Sequence, residues 1–180
     1  ELGFRTMNEM IGRVDRLKCQ DAIDHWKAVG IDLSKVFQPA DRIYGGDLYC
    51  SKKQANPLED HLDWEILEQA KPAVEKLEKT VIELPTRNIF RTVGAILSNR
   101  IVRKHGAKGL PDGTLEVVMR GTAGQSFGAW LCPGVTLRLI GDSNDYLGKG
   151  MSGGRIVVQT PPGANYDPTE NVIVGNTLLY

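Results

Sequence analysis

The feature that most constrains the fold is a set of glycines that returns every 20 residues in the C-terminal part of the sequence. The pairs with this spacing are Gly121 and Gly141, Gly128 and Gly148, and Gly134 and Gly154. A fixed period indicates structural units of one length that pack on each other. A glycine repeated at one position in each unit provides positive φ or allows two backbones to approach closely. The spacing therefore predicts stacked units with glycine at their corners.

Short β-branched segments alternate with these glycines. The four strand candidates are "TLEVVMRG" (114–121), "VTLRLIG" (135–141), "GRIVVQT" (154–160) and "NVIVGNTLLY" (171–180). We expect each unit to contain a strand, a glycine turn, a second short strand and another turn. The predicted fold class is therefore mainly β with N-terminal helices, and its C-terminal part is a β-helix. A β-sandwich is the alternative, but it gives no reason for glycines to return in register.

The glycine-rich stretch "GTAGQSFG" (121–128) also resembles a phosphate-binding loop. A P-loop requires a lysine followed by a serine or threonine after its last glycine, and this stretch has no lysine. A dinucleotide-binding loop requires a different glycine spacing and a helix directly after it, whereas "AWLCPG" follows here. Turn corners are therefore the favoured interpretation. The predicted turn glycines are Gly121, Gly124, Gly128, Gly134, Gly141, Gly148, Gly150, Gly153 and Gly154.

The N-terminal part of the chain shows helix signals and connectors. Thr6 and Glu9 form a capping box for a short helix, and Asp21 is placed to cap a second helix that stops at Gly30. An apolar face over about 63–79 predicts a longer helix with a kink at Pro72. We therefore divide the chain into a helical and extended connector, 1–79, and the β-helix domain, 80–180.

Two further elements are predicted between the connector and the first glycine. "TVIEL" (80–84) has the composition of a strand, and "RTVGAILSNRIVRKHG" (91–106) has the pattern of a helix. Its apolar residues fall on one face, and its basic residues precede Gly106, as the helix dipole favours.

Composition excludes several classes of function. Lys plus Arg and Asp plus Glu number 22 each, so no basic excess indicates binding to nucleic acid or to a membrane surface. The apolar runs are too short to cross a bilayer, and the first ten residues lack signal-peptide features. Cys19, Cys50 and Cys132 are far apart, and we expect them to be free thiols.

A few residues could carry chemistry. The histidines, His25, His61 and His105, are tens of residues apart, which favours structural roles over a metal site. The acids around His61 in "EDHLDWE" are interpreted as a solvated helix start. In "GDSNDYLGKGMSGG" (141–154), Asp142, Asp145 and Lys149 could hold a small ion, but Asn and Asp also stabilise turns by themselves. Turn formation is the favoured interpretation, and we predict no catalytic, cofactor-binding or metal-binding residue in this chain.

Residues 121–158, including "GDSNDYLGKGMSGG", resemble the glycine-rich GXGXG domain at the C-terminal end of the glutamate synthase large subunit. The opening "LGFRTMNEMIGRVDRL" is similar to the connector that leaves the flavin domain of that family. "RTVGAILS" and "GLPDGT" are similar to the stretch before its β-helix. Residues from about 40 to 60 show the weakest likeness.

The resemblance implies a right-handed single-stranded β-helix in an enzyme of ammonia assimilation. That enzyme moves the amide nitrogen of glutamine onto 2-oxoglutarate and reduces the product, giving two glutamates. FMN and an iron–sulfur cluster would belong to the parent enzyme and not to this segment. We expect a noncatalytic part that braces the amidotransferase and FMN domains, in the cytoplasm or plastid stroma. An independent ligand-binding or partner-binding solenoid is the alternative.

The last expectation concerns the segment "NVIVGNTLLY", which is an apolar strand candidate without a polar cap after it. Solenoid ends that lack a cap expose backbone groups and core side chains. We therefore expect the chain either to self-associate through residues near Val172 to Tyr180 or to leave these residues poorly protected.

Overall fold

The computed structural model describes residues 2–18, 25–42 and 45–180. The chain forms two compact units, Glu1–Asn56 and Pro57–Tyr180. No helix within the described ranges is long and apolar enough to cross a membrane.

The first unit contains little regular structure. Helix α1 spans Met7–Met10, and the Thr6 side chain accepts a hydrogen bond from the Glu9 backbone N–H at 3.3 Å, as the capping box predicts. Two 3₁₀ turns follow at Val14–Arg16 and Trp26–Ala28. The predicted cap Asp21 lies outside the described residues.

The second unit contains three helices. Helix α2 spans Leu62–Gln69, α3 spans Lys71–Lys76 and α4 spans Ala95–His105. The single helix predicted over 63–79 is therefore two helices, which are separated at Ala70. Pro72 explains the break, because proline has no N–H to donate and is tolerated only in the first turn of a helix. Helix α4 ends at His105, directly before Gly106, and has three basic residues in its last turn, as its sequence predicts.

Four strands form one parallel sheet in the order β1-β2-β3-β4. Strand β1 spans Thr80–Thr86, β2 spans Leu115–Ala123, β3 spans Val135–Ser143 and β4 spans Arg155–Gln159. The predictions for "TVIEL" and for the first three β-branched segments are confirmed. The glycine period has a direct meaning in this sheet, because Gly121 and Gly141 are register partners in β2 and β3.

Apolar side chains from successive strands lie in columns on one face of the sheet. One column contains Ile82, Val117, Leu137 and Ile156, and the next contains Leu84, Met119, Leu139 and Val158. Side chains of α2 and α4, including Ile66, Leu97 and Ile101, join them in one core. On the other face, the Arg138 Nε donates to the Glu116 carboxylate at 2.7 Å.

The prediction of a right-handed β-helix is wrong. The described residues form a small parallel sheet with helices, and the segments between β2, β3 and β4 are turns without the second short strand that the prediction requires. The backbone gives the reason. Ser126, Trp130 and Tyr146 have φ values of 60°, 54° and 66°, which are incompatible with an extended strand.

The fourth strand candidate, "NVIVGNTLLY", is also not a strand. It makes one isolated parallel bridge, between Ser143 and Val174. Thr177 and Leu179 have φ values of 58° and 54°, so the segment turns where the sequence pattern predicts extension.

Candidate functional site

The residues between the strands stack as four turns, which are the candidate site because they contain Gly128, Gly148 and Gly150 together with Asp145 and Lys149 of the predicted ion-holding stretch. Turn 1 is residues 91–94, turn 2 is 125–130, turn 3 is 145–150 and turn 4 is 176–180. Each turn hydrogen-bonds to the next through its backbone. Ser126 N donates to Asp145 O at 2.8 Å, and Tyr146 N donates to Asn176 O at 3.0 Å. In the opposite direction, Gly148 N donates to Phe127 O at 2.9 Å.

The left-handed residues occupy matching positions in all four turns. The first such position holds Thr92, Ser126, Tyr146 and Thr177, and the second holds Gly94, Gly128, Gly148 and Leu179. The glycine period in the sequence identifies only part of the second set. Three of the first set are β-branched or aromatic, and nothing in their side chains indicates positive φ. The sequence therefore does not predict positive φ at this position.

Several turn glycines lie where a side chain has no room. A Cβ on Gly121 would overlap the Thr86 carbonyl oxygen, and a Cβ on Gly141 would overlap that of Gly121. The two glycines thus allow β1, β2 and β3 to approach closely at one register position. A Cβ on Gly124 would lie 2.5 Å from Phe90 O, and a Cβ on Gly154 would lie 2.6 Å from Val135 O.

The other predicted turn glycines have different surroundings. A Cβ on Gly134 would overlap the Leu110 carbonyl, and a Cβ on Gly153 would lie 2.6 Å from the Pro133 ring. A Cβ on Gly128 or Gly148 would contact the ends of the Ile156 and Leu179 side chains.

The side chains of His61 and Asp63 lie against turn 1. They make the hydrogen bonds to it that, in turns 2 to 4, come from the backbone of the preceding turn. His61 Nε2 lies 2.7 Å from Arg91 O. In turns 2 to 4, the carbonyl oxygen at the equivalent position accepts a hydrogen bond from a backbone N–H of the preceding turn. His61 Nδ1 accepts from Asp63 N at 3.1 Å, so Nε2 carries the proton that Arg91 O accepts. We call the His61 and Asp63 side chains the turn cap.

The Asp63 carboxylate supplies the acceptor of the turn cap. It accepts from Gly94 N at 2.8 Å, from Ile96 N at 2.8 Å and from Leu97 N at 3.2 Å, at the N-terminal end of α4. Burial raises the pKa of Asp63, while these hydrogen bonds and His61 act in the opposite direction. The sequence pattern predicts that the acids around His61 are solvated. That is wrong for Asp63, which is fully buried.

The polar residues of "GDSNDYLGKGMSGG" are engaged within the turns. Asp142 accepts from the Thr122 hydroxyl at 2.9 Å, and Asp145 accepts from Asn176 N at 2.8 Å. Lys149 Nζ lies 5.0 Å from the centre of the Tyr180 ring. These contacts are intramolecular and use the residues as turn-forming groups.

A shallow groove lies beside Gly121 and Gly141 on the sheet. It has a volume of about 510 Å³ and is lined by Arg120, Thr122, Asp142 and Pro161, among others. Arg120 is exposed and Asp142 is exposed, so one charge of each sign borders the groove. A small molecule would fit this volume.

The remaining candidate residues are not brought together. His25 Nδ1 accepts from Lys27 N at 3.1 Å, and His105 Nε2 lies 2.8 Å from Val74 O. Cys50 is an exposed free thiol and Cys132 a buried one, and burial raises the pKa of Cys132. Across the described ranges, no three His, Cys, Asp or Glu side chains are grouped as a metal site requires.

Comparison with known proteins identifies relatives over the whole chain. The model of the GXGXG motif family matches residues 63–180. The NADH glutamate synthase of Schizosaccharomyces pombe is 44% identical over 181 residues, which cover 100% of this chain and 8% of that protein. The NADPH glutamate synthase large chain of Bacillus subtilis is 41% identical over 182 residues, which cover 99% of this chain and 12% of that protein.

The ferredoxin-dependent chloroplastic glutamate synthase of Spinacia oleracea is 36% identical over 183 residues, which cover 100% of this chain and 11% of that protein. The chain therefore spans 8% to 12% of the length of these relatives. The match includes enzymes named for NADH, NADPH and ferredoxin.

Proposed function

Because the chain belongs to the GXGXG motif family and matches glutamate synthases from end to end, we propose that it is a noncatalytic structural part of a glutamate synthase. In this proposal it braces the amidotransferase and FMN domains of the parent enzyme. The parent reaction transfers the amide nitrogen of glutamine to 2-oxoglutarate with reduction, giving two glutamates. FMN and the iron–sulfur cluster belong to the parent, which would work in the cytoplasm or plastid stroma.

One observation carries this proposal: the side chains that could take part in catalysis are hydrogen-bonded to the backbone of the stacked turns. Asp63 accepts three backbone hydrogen bonds, Asp145 caps turn 4, and His61 bridges to Arg91 O. A catalytic acid, base or nucleophile needs a proton or a lone pair that is available and directed at a substrate. These side chains instead satisfy the backbone, which supports a bracing role.

The experiment uses the complete enzyme that contains this segment. Glutamine hydrolysis and glutamate synthesis are measured separately, together with thermal unfolding, for Arg120→Gln, Asp142→Asn and Gly141→Ala. We expect the two groove variants to keep both rates within about twofold of wild type, because they touch no reacting atom. Gly141→Ala should lower the melting temperature and reduce the glutamate formed per glutamine hydrolysed, because the brace is deformed.

The groove favours one alternative, a module that binds a small ligand on its own. Addition of glutamine, 2-oxoglutarate or FMN to the 180-residue chain would then raise its melting temperature in a saturable way. A rate loss above about tenfold for Arg120→Gln or Asp142→Asn, with an unchanged melting temperature, would contradict the noncatalytic role.

A further inference from the structure

The sheet face opposite the core, which we call the outer face, carries two arginines with different surroundings. Arg138 donates from Nε to the Glu116 carboxylate at 2.7 Å and from Nη1 to Gln159 Oε1 at 3.4 Å. Arg120 lies on the neighbouring strand and lines the groove, but its guanidinium makes no hydrogen bond or ion pair to any described residue. Its N–H donors are therefore available to a ligand.

Asp142 is the second charged group of the groove. Its Oδ1 accepts from the hydroxyl of its register partner Thr122 at 2.9 Å, and its other carboxylate oxygen has no hydrogen-bond partner among the described residues. Arg120 is opposite Ile140, so Arg120 and Asp142 are diagonal neighbours on the outer face. The spacings of a parallel sheet place their Cα atoms roughly 8 Å apart, which an arginine side chain can span. The two side chains nevertheless form no ion pair, and both charges border the groove.

The rest of the lining is largely apolar. Ile140 is buried beside the two charged side chains, and Pro161 and Pro162, which follow β4, also line the groove. Proline has a fixed φ and no backbone N–H, so these two residues offer a rigid apolar surface without a backbone donor. Among the described residues, Arg120 and Asp142 are the two charged side chains that line the groove.

The two charges select a class of ligand. A ligand with negative charge alone would be repelled by Asp142, and a ligand with positive charge alone would be repelled by Arg120. An α-amino acid carries both charges on neighbouring groups. Its carboxylate can accept parallel hydrogen bonds from a guanidinium, and its ammonium group can donate to a carboxylate oxygen. Because the remaining lining carries no charge, it favours an amino acid with an uncharged side chain.

We propose that the groove binds a free α-amino acid with an uncharged side chain, whose carboxylate contacts Arg120 and whose ammonium group contacts Asp142. The side chain of the amino acid packs on Ile140 and Pro161. The volume of the groove, about 510 Å³, is within the range of small-ligand sites. This inference goes beyond the proposed function, because the amino acid is held without being converted and the bracing role does not require it.

Saturation-transfer difference NMR of the complete enzyme with L-leucine tests the proposal. Leucine carries both charges and an apolar side chain, and it is neither the nitrogen donor nor the nitrogen acceptor of the proposed parent reaction. We expect saturable transfer with a Kd on the order of 1 mM, because an open groove with two charged contacts binds a small ligand weakly.

Two analogues of leucine separate its charges. 4-Methylpentanoate lacks the ammonium group, and 3-methylbutylamine lacks the carboxylate. Each should bind the wild-type enzyme at least about tenfold more weakly than leucine, because one charge of the groove is then left without its partner.

Variants of the complete enzyme assign the binding to the groove. Arg120→Gln and Asp142→Asn should each weaken leucine binding at least about tenfold, whereas Arg120→Lys should weaken it less, since it keeps the charge but not the paired donors. Arg155→Gln is the matched control and should leave the Kd within about twofold, because Arg155 is exposed on the same face but does not line the groove. Thermal melts check that each variant is folded.

Three results would overturn the proposal. The first is leucine binding that the groove variants leave unchanged, because the ligand would then lie elsewhere on the enzyme. The second is equal binding of leucine and either analogue, which would show that the site does not recognise both charges. The third is the absence of saturable transfer at several times the expected Kd. The analogues are applied to the wild-type enzyme, so the test remains decisive if a variant fails to fold.

Discussion

The Asp63 carboxylate accepts a hydrogen bond from the Gly94 backbone N–H at 2.8 Å, where later turns use a carbonyl oxygen of the turn before them. Gly128 N donates to Val93 O and Gly148 N donates to Phe127 O in the same direction. A side chain thus begins a hydrogen-bond pattern that backbone groups continue.

Replacement of Asp63 by Asn should therefore destabilise the chain. The side-chain NH₂ of Asn would face one of the backbone N–H groups that now donate to the carboxylate. That buried N–H would lose its acceptor. We expect the free energy of unfolding to fall by about 2 kcal/mol or more, measured by urea denaturation. Glu65→Gln, on the exposed face of the same helix, should change it by less than about 0.5 kcal/mol. An equal effect of both variants would contradict the role of the turn cap.

Gly141→Ala should destabilise the sheet. Its φ is 151°, and the new Cβ would overlap the Gly121 carbonyl oxygen, which is backbone and cannot move aside alone. We expect a loss of about 2 kcal/mol or more in thermal or urea melts. Gly46→Ala is the matched control, since a Cβ there meets no atom within 4 Å and needs no unusual φ. A neutral Gly141→Ala would show that the strands tolerate a wider separation.

Thr86→Val should leave stability unchanged or raise it. The Thr86 hydroxyl is buried and makes no hydrogen bond to the described residues, so folding removes it from water without replacement. We expect a gain of up to about 1 kcal/mol in the free energy of unfolding. Thr114→Val is the control, because the buried Thr114 hydroxyl donates to Pro111 O at 2.6 Å and its loss should cost about 1 kcal/mol. The prediction fails if the two variants behave alike.

Cys132 should react slowly with alkylating reagents in the folded chain. Its side chain is inaccessible and burial raises the pKa of its thiol, so little thiolate forms at pH 8. Peptide-resolved mass spectrometry after iodoacetamide treatment should show the exposed Cys50 modified at least about tenfold faster. In urea the two rates should converge. Rapid modification of Cys132 without denaturant would indicate that the core opens locally.

The edge strand β1 should resist pairing with a second copy. Glu83 and Pro85 are exposed on it. The charge of Glu83 would repel the same charge on a second copy, and Pro85 has no backbone N–H to donate to another strand. The variant Glu83→Val with Pro85→Val should therefore self-associate more strongly, measured by sedimentation velocity across a concentration series. Glu78→Val removes the same charge before the strand and should not. Unchanged sedimentation of the double variant would show that other features protect this edge.

Local signals in the sequence predict much of the secondary structure. β-branched runs identify β1 to β4, and the basic end of α4 with Gly106 marks where that helix stops. The 20-residue glycine period predicts the β2–β3 register. It does not predict the path between strands, because Ser126 and Tyr146 turn the backbone without being glycine.

The turn cap could not be predicted from the sequence. His61 and Asp63 act on Arg91, Gly94 and the start of α4, which are about 30 residues away. Acids beside a helix start ordinarily interact with their own helix, whereas Asp63 serves the N-terminus of another. Only the packing of α2 against α4 reveals this role.

The parallel order of the sheet has a consequence for how the chain folds. Partners in β2 and β3, such as Leu115 and Val135, are 20 residues apart, whereas partners in β1 and β2, such as Thr80 and Leu115, are 35 apart. Loop-closure entropy rises with the logarithm of loop length, so the longer closure costs about 0.5 kcal/mol more. The glycine repeat therefore shortens the conformational search for the central strand pair, and we expect this pair to form the folding nucleus onto which β1 and α4 condense.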